Sequence, residues 1–214
     1  MKNNLQLILL FLINCFIIND LDAQSRFRGG FVAGLNMAQL DGDNAAGYHK
    51  IGLSTGIRAT IELGGRWEIS TDILFSQRGS RTTLNESFIL RKSTLNYLEV
   101  PVLLNLRDWL RTTEAGETYY KVHLSVGLSY GRLFSETVSP NFTHAGVENL
   151  FAKNDLSGVF GVGYFFNRNW GATARIAKSL NFLFDPSQHL DDKLARILPS
   201  LRGHFITFQS FWLF

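Results

Sequence analysis

His123 and Ser125 stand two residues apart in a stretch of alternating polarity, and they are the first residues whose types could do chemistry. A spacing of two in an extended strand places both side chains on one face. Serine, histidine and an acid can form a hydrolytic site in which the histidine activates the serine hydroxyl. A hydrolase acting on lipid needs that site at the lipid-facing rim, whereas the alternation turns both residues to the other face. The pattern therefore favours a protein that is not an enzyme, and an outer-leaflet lipid-modifying enzyme remains an alternative.

Other polar motifs also lack the context that metal or nucleotide binding requires. His49, His144 and His189 fall in predicted loops without the spacing of metal ligands. The run 41–44 (DGDN) lacks the rest of a calcium loop and predicts a turn. The run 161–163 (GVG) lacks the strand–turn–helix setting of a nucleotide motif and predicts small side chains on a crowded face. We expect no metal ion and no cofactor.

Nine ionisable side chains fall on the polar face of the alternating segments: Arg58, Glu62, Arg66, Glu68, Asp72, Glu99, Lys121, His123 and Arg175. If the segments close into a small barrel with the apolar face outward, all nine point into an interior barely wide enough for its own side chains. Unpaired buried charges are costly, so these groups are predicted to form a mutually neutralising network. Arg58, Glu99 and Arg175 are the expected partners in the middle of the barrel. A conducting or ligand-binding lumen is the alternative that this narrow interior disfavours.

Eight segments of alternating polarity supply the strands for such a barrel. A period of two places the apolar and polar sets on opposite faces, and 18 phenylalanines, 19 scattered glycines and only 4 prolines suit strands. After Gln24 no apolar run is long enough for a transmembrane helix, and among β structures only a closed barrel can span lipid. The predicted strands are 27–38, 51–63, 66–78, 94–107, 118–134, 154–166, 170–183 and 201–214.

The connections between these segments alternate in length. Short ones are predicted at Gly64-Gly65, 108–117 and 167–169, and long ones at 39–50, 79–93, 135–153 and 184–200. Short periplasmic turns and long outer loops are typical of bacterial outer-membrane barrels. The prediction is an all-β, transmembrane, antiparallel up-and-down β-barrel of eight strands with both termini in the periplasm. A soluble lipocalin-like binder of apolar ligands would need the inverse polarity and is a further alternative.

The N-terminus has the features of a secretory signal peptide. Lys2 precedes an apolar run over 5–18, which is too short to span a bilayer, and a polar junction follows at 20–24. We expect cleavage after Ala23, which divides the chain into a signal peptide, 1–23, and a barrel domain, 24–214; a retained anchor is the alternative. The single cysteine, Cys15, would be removed with the signal, so the mature chain would form no disulfide. The formal net charge of +3 is not concentrated in a basic block, so nucleic-acid binding is not expected.

The C-terminal segment ends with apolar residues at even steps. Phe214 is preceded by Trp212, Phe208 and Ile206. This arrangement resembles the C-terminal signal that the outer-membrane barrel assembly machinery reads. With Trp67 and Trp170 just after short turns, aromatic residues are predicted at the periplasmic rim, where their apolar bodies and polar tips suit the membrane interface.

The barrel segments also resemble the PorT-like outer-membrane β-barrel family of Bacteroidota. The matching runs are 31–36 (FVAGLN), 68–79 (EISTDILFSQRG) and 95–104 (LNYLEVPVLL), and the third is the most specific. The resemblance implies a barrel in the outer membrane of a Gram-negative cell, with an envelope or secretion protein as its expected partner. We expect a small, monomeric, non-enzymatic envelope protein that acts through its outer loops or periplasmic contacts, with outer-membrane lipid and the assembly machinery as its general partners.

Overall fold

The protein is a closed barrel of eight antiparallel strands in which each strand pairs with its neighbours in sequence and β8 pairs with β1. The computed structural model describes residues 26–41, 47–81, 92–114, 116–138, 151–184 and 200–214. The strands are β1 (Phe27–Asp41), β2 (Lys50–Gly64), β3 (Trp67–Arg81), β4 (Lys92–Thr112), β5 (Thr118–Val138), β6 (Asn154–Phe165), β7 (Trp170–Ser179) and β8 (Arg202–Leu213). The predicted eight-stranded up-and-down topology is confirmed.

The two ends of the barrel differ in their connections. One end carries the three short turns, the start of β1 and the end of β8, and we call it the hairpin end. The other end, where the long connections lie, is called the loop end. Both the predicted turn at Gly64-Gly65 and that at 108–117 were misplaced: the ladder pairs Gly64 with Trp67, and β4 continues to Thr112 opposite Thr118. The third correction is that β7 ends at Ser179, because the Asn181 side chain takes up the Leu156 amide of β6.

The outer wall of the barrel is apolar and its interior is largely polar. Side chains such as Ile57, Val102, Val126 and Phe160 are about half exposed on the outer wall. Among the described residues, no helix is long and apolar enough to cross a membrane. A lipocalin-like binder of apolar ligands needs the opposite arrangement, so the observed polarity removes that alternative and suits a wall in contact with lipid.

Apolar clusters close the interior near both ends. At the loop end, Phe151, Leu183, Phe184 and Leu201 come from the connecting segments and pack on Tyr97 of β4. At the hairpin end, the buried set comprises Val32, Leu74, Phe165, Phe211 and Leu213. Leu74 and Tyr97 are exceptions to the polar interior, because both point inward and are buried. Between the two clusters, charged groups share the interior with a third apolar cluster, formed by Ala38, Leu103, Val159, Ala177 and Phe205.

Candidate functional site

The first interior charge cluster joins Asp72 to two arginines. The Arg58 guanidinium donates to both carboxylate oxygens of Asp72, at 2.7 and 2.9 Å, and Arg175 donates to Oδ2 at 2.8 Å. Arg58 and Asp72 lie directly opposite on β2 and β3, whereas Arg175 reaches across from β7. All three side chains are buried. With two cations and one anion, this cluster has a formal charge of +1.

The second cluster has the opposite balance. Arg78 of β3 lies 2.5 Å from Glu99 of β4 and 2.6 Å from Asp155 of β6. Its guanidinium also lies over the rings of Phe205, at 3.8 Å, and Tyr97, at 5.0 Å. Serine hydroxyls donate further hydrogen bonds to the two carboxylates, from Ser129 to Glu99 at 2.7 Å and from Ser157 to Asp155 at 3.1 Å. One cation and two anions give −1, so the two clusters neutralise each other, as buried charges require.

The interior between these two clusters is nearly filled. A cavity of about 10 Å³ remains there, lined by groups that include Glu99, Pro101, Arg175 and Phe205. That volume holds about one water molecule. An eight-stranded barrel leaves little room beyond its own side chains, and here paired charges and two rings take up that room. Buried side chains therefore occupy most of the described lumen at this level.

The third charge cluster lies at the hairpin end. Arg107 of β4 donates to Glu62 at 2.6 Å and lies 3.5 Å from Glu68. Asn105 connects this cluster to its neighbours, since its amide donates to Glu68 at 2.9 Å and its carbonyl accepts from Ser125 at 2.6 Å. Glu68, Asp72 and Arg78 follow one another along β3, so this strand contributes to all three clusters.

The third cluster forms the floor of an open cavity of about 350 Å³ at the hairpin end. Its walls carry both signs of charge together with two tyrosines and a phenylalanine. Arg28 donates to the Arg168 carbonyl at 2.6 Å, and Arg107 lies 5.0 Å from the Tyr120 ring centre. The lining residues are Arg28, Glu62, Gly65, Glu68, Arg107, Leu110, Thr118, Tyr119, Tyr120, Phe165 and Arg168. Positively and negatively charged side chains therefore converge on this concave surface.

His123 and Ser125 lie inside the barrel and have separate surroundings. The His123 ring is buried between Phe165, at 5.6 Å, and Phe211, at 6.3 Å. The Ser125 hydroxyl is engaged with Asn105. The histidine is thus enclosed by aromatic rings, and neither side chain reaches the lipid-facing wall where a lipid substrate would approach.

Seven of the nine predicted interior residues lie inward, and two do not. Arg66 occupies the turn after β2, where its exposed side chain pairs with Asp108 at 3.4 Å. Lys121 donates to the Tyr164 hydroxyl at 2.9 Å and lies 5.5 Å from the exposed ring of Trp109. Trp109 has a φ of 62°, a conformation that breaks a regular ladder. Because Leu110 and Tyr120 beyond it line the cavity, the alternation shifts here and Lys121 leaves the interior.

Three ion-pair residues were not among those singled out from the sequence. Arg78, Asp155 and Arg107 are all buried and each completes one of the clusters. A signal was available, because Arg78 continues the inward series of β3 and Asp155 precedes the inward Ser157 by two. Arg107 falls two residues after the inward Asn105 at the edge of what was predicted to be a turn.

The C-terminal aromatic residues lie on the outer wall. Phe208, Trp212 and Phe214 are more than half exposed, and the Phe214 amide donates to the Gly29 carbonyl at 2.8 Å, joining the chain end to β1. Ile206 is half-buried on the same side. The role of this set as an assembly signal stays a prediction.

The loop end offers polar residues without metal-site geometry. His49 is exposed as expected, whereas His144, His189 and most of the run 41–44 lie outside the described residues. The Tyr48 hydroxyl lies 3.2 Å from Nε2 of His204. The pKa of Tyr48 is raised, mainly by partial burial and to a smaller extent by the negative charge of the Asp41 carboxylate. Within the described part of the chain, no three His, Cys, Asp or Glu side chains are placed to hold a metal ion.

Comparison with known proteins places this barrel in a family. No curated protein matches the sequence significantly. Similar solved structures include Ail, the attachment invasion locus protein of Yersinia pestis, at 13% identity, 88% and 99% coverage of the two chains, and a TM-score of 0.47. Neisserial surface protein A is 12% identical, with 88% of this chain and 97% of that chain covered and a TM-score of 0.46. OprG of Pseudomonas aeruginosa is 13% identical, with 88% of this chain and 94% of that chain covered and a TM-score of 0.41. Residues 22–185, which include β1 to β7, match the model of the outer membrane protein beta-barrel domain. The chain therefore belongs to this family and is a small β-barrel protein of the bacterial outer membrane.

Proposed function

We propose that this protein is a sealed, non-enzymatic barrel that acts by docking a periplasmic polypeptide at its hairpin end. The observation that carries the proposal is the contrast between the two parts of the lumen. The middle is filled by ion pairs, with room for about one water, whereas the hairpin end opens into a cavity of about 350 Å³. A closed middle disfavours transport, and an open, mixed-charge end supports binding.

The chemistry of the hairpin-end cavity suits a peptide segment. Arginines and glutamates face it together, so a partner can offer either sign of charge or its backbone amides. Tyr119, Tyr120 and Phe165 supply aromatic surface of the kind enriched at protein interfaces. Placing this end in the periplasm follows from its short turns, since bacterial barrels carry short turns on that side.

Site-specific photocrosslinking in cells tests the docking. A photoreactive amino acid replaces Tyr120 in the cavity, and in the matched control it replaces Tyr130, which lies on the same strand but is 47% exposed on the outer wall. We expect a protein adduct of discrete mass at position 120 alone. Adducts of equal yield at both positions, or none at position 120, would overturn the proposal.

Planar-bilayer recordings test the sealed lumen. We expect purified wild-type protein to show no stepwise conductance in conditions where an inserted porin does. Reproducible steps from the wild-type barrel would favour the small-pore alternative instead. The recording and the crosslinking are independent, so a pore with a docking site and a sealed barrel without one would be told apart.

The resemblance to the PorT-like family supports a role in protein secretion for the docked partner. The three runs that carry it lie in β1, β3 and β4. Comparing proteins released by a deletion strain, by the complemented strain and by the wild type tests this link. We expect the deletion to reduce specific secreted proteins; an unchanged set of secreted proteins would remove secretion from the proposal and leave the docking intact.

Export and assembly are proposed to follow the sequence predictions. Residues 1–23 would direct export and be removed after Ala23, and Ile206, Phe208, Trp212 and Phe214 would be read by the assembly machinery. The mass of the protein recovered from outer membranes checks the first point, because a chain beginning at Gln24 differs from the full chain by the whole signal peptide.

A further inference from the structure

Two cations at the hairpin end of the outer wall have no carboxylate partner among the described residues. Arg111 of β4 lies 5.6 Å from the ring centre of Trp109, and Lys121 of β5 lies 5.5 Å from the centre of the same ring. Lys121 also donates to the Tyr164 hydroxyl. Asp108, the residue before Trp109, is already engaged by Arg66 and by the Trp109 amide. Arg111 and Lys121 therefore place two positive charges on this part of the wall without a carboxylate contact.

The surroundings of these cations match the boundary between lipid tails and headgroups. An aromatic row continues from Tyr164 to Phe166, at 5.6 Å, and from Phe166 to Trp170, at 4.5 Å. Such rings sit where a membrane meets water. Toward the middle of the barrel, the paired residues Leu106, Leu124 and Val162 form an exposed apolar row across β4, β5 and β6.

We propose that Arg111, Lys121 and Trp109 form a binding site for the phosphate of a membrane phospholipid whose acyl chains lie along that apolar row. Both cations would contact the phosphate oxygens, with Trp109 and Tyr164 holding their alkyl stems at the interface. The shift in the strand alternation at Trp109 is what brings Lys121 to the outer wall. The proposal is independent of peptide docking, because the docking cavity lies inside the barrel mouth.

The phosphate is the feature that a phospholipid and an apolar lipid do not share. Lysine and arginine near a membrane surface each contribute roughly 1 kcal/mol of attraction to anionic lipid, which for two cations corresponds to about thirtyfold in affinity. Exposed apolar wall alone would bind any diacyl lipid equally. A charge-dependent preference therefore distinguishes a site from general solvation by lipid.

Native mass spectrometry of the protein purified from outer membranes in detergent tests the site. The probes are phosphatidylglycerol and a diacylglycerol with the same acyl chains. The test variant is Arg111→Gln with Lys121→Gln, and the matched control is Arg132→Gln with Lys178→Gln, which removes two cations from the outer wall at the loop end. The compact band on an unboiled gel checks that every variant is folded.

We expect wild type and the loop-end control to bind phosphatidylglycerol more tightly than diacylglycerol, and the test variant to lose at least tenfold in phosphatidylglycerol affinity. Equal binding of the two lipids by wild type would overturn the proposal without any variant. Equal losses in both double variants would also overturn it. Displacement of the bound lipid by millimolar inorganic phosphate would show a site for free phosphate and would contradict the lipid assignment.

Discussion

Replacing Asp72 by asparagine tests whether the interior charges hold the barrel together. Asp72 accepts two hydrogen bonds from Arg58 and one from Arg175, all between 2.7 and 2.9 Å. Asp72→Asn keeps the size of the side chain but leaves two buried guanidinium groups without their shared anion. Breaking a buried ion pair by removing one partner costs roughly 3–5 kcal/mol. We expect the free energy of unfolding to fall by about that amount.

Urea unfolding of the protein in phospholipid vesicles measures this change, with tryptophan fluorescence and the compact gel band as independent readouts. Asp41→Asn is the matched control, because it removes the same charge at the loop end, where Asp41 is partly exposed and lies 4.0 Å from Lys178. Exposed pairs contribute at most about 1 kcal/mol. The control should therefore unfold close to wild type.

A second substitution separates charge from packing. Combining Asp72→Asn with Arg175→Gln removes one of the two uncompensated cations, so the double variant should recover part of the lost stability. Residues in one network show coupling energies of roughly 0.5–3 kcal/mol. Purely additive effects, or an Asp72→Asn variant as stable as the Asp41→Asn control, would refute the view that the central cluster is stabilised by its charges.

Three further predictions concern single sites. Gly163→Ala should destabilise the barrel by about 1–3 kcal/mol through overpacking, because a Cβ there would lie 2.1 Å from the His123 ring. The control Gly158→Ala, whose Cβ would have no neighbour closer than 3.9 Å, should keep the wild-type midpoint in a gel-shift unfolding assay. Equal midpoints for the two variants would contradict the crowding at Gly163. Tyr97→Phe should change the unfolding free energy by less than about 1 kcal/mol, because the buried hydroxyl has no hydrogen-bond partner in the described structure; a larger loss in urea would reveal one. Phe214→Ser should slow assembly in cells, measured as heat-modifiable protein after a pulse of synthesis, and normal kinetics would remove its role as a signal.

The strand alternation is a local property, and it explains why so much of the fold could be predicted. Each strand must present apolar side chains to lipid and polar ones to the interior, so each records its own two faces. The turn at Gly64-Gly65 was wrong by one residue because either neighbour of Gly65 can occupy a turn. Lys121 was misplaced because nothing local marks Trp109 as the residue where the alternation shifts.

The partners within the interior network could not be predicted in the same way. Which side chains meet across the lumen depends on the stagger of the strands around the closed barrel, which no single segment records. Asp72 of β3 pairs with Arg175 of β7, and Arg78 of β3 pairs with Asp155 of β6, although β3 is not adjacent to β6 or β7 in the sheet. Mutual neutralisation of the central charges could be anticipated from the cost of buried charge, but not their division into two clusters of opposite sign.

The two central charge clusters link the pairing of buried charges to the closure of the barrel. Arg58 with Asp72, and Arg78 with Glu99, are pairs between adjacent strands, so the sheet of β2 to β4 is neutral in these groups as soon as its hairpins form. Asp155 on β6 and Arg175 on β7 find their counter-charges only across the lumen. A sheet that has not closed therefore leaves Asp155 and Arg175 without their counter-charges, and closure of the barrel brings both residues to their partners.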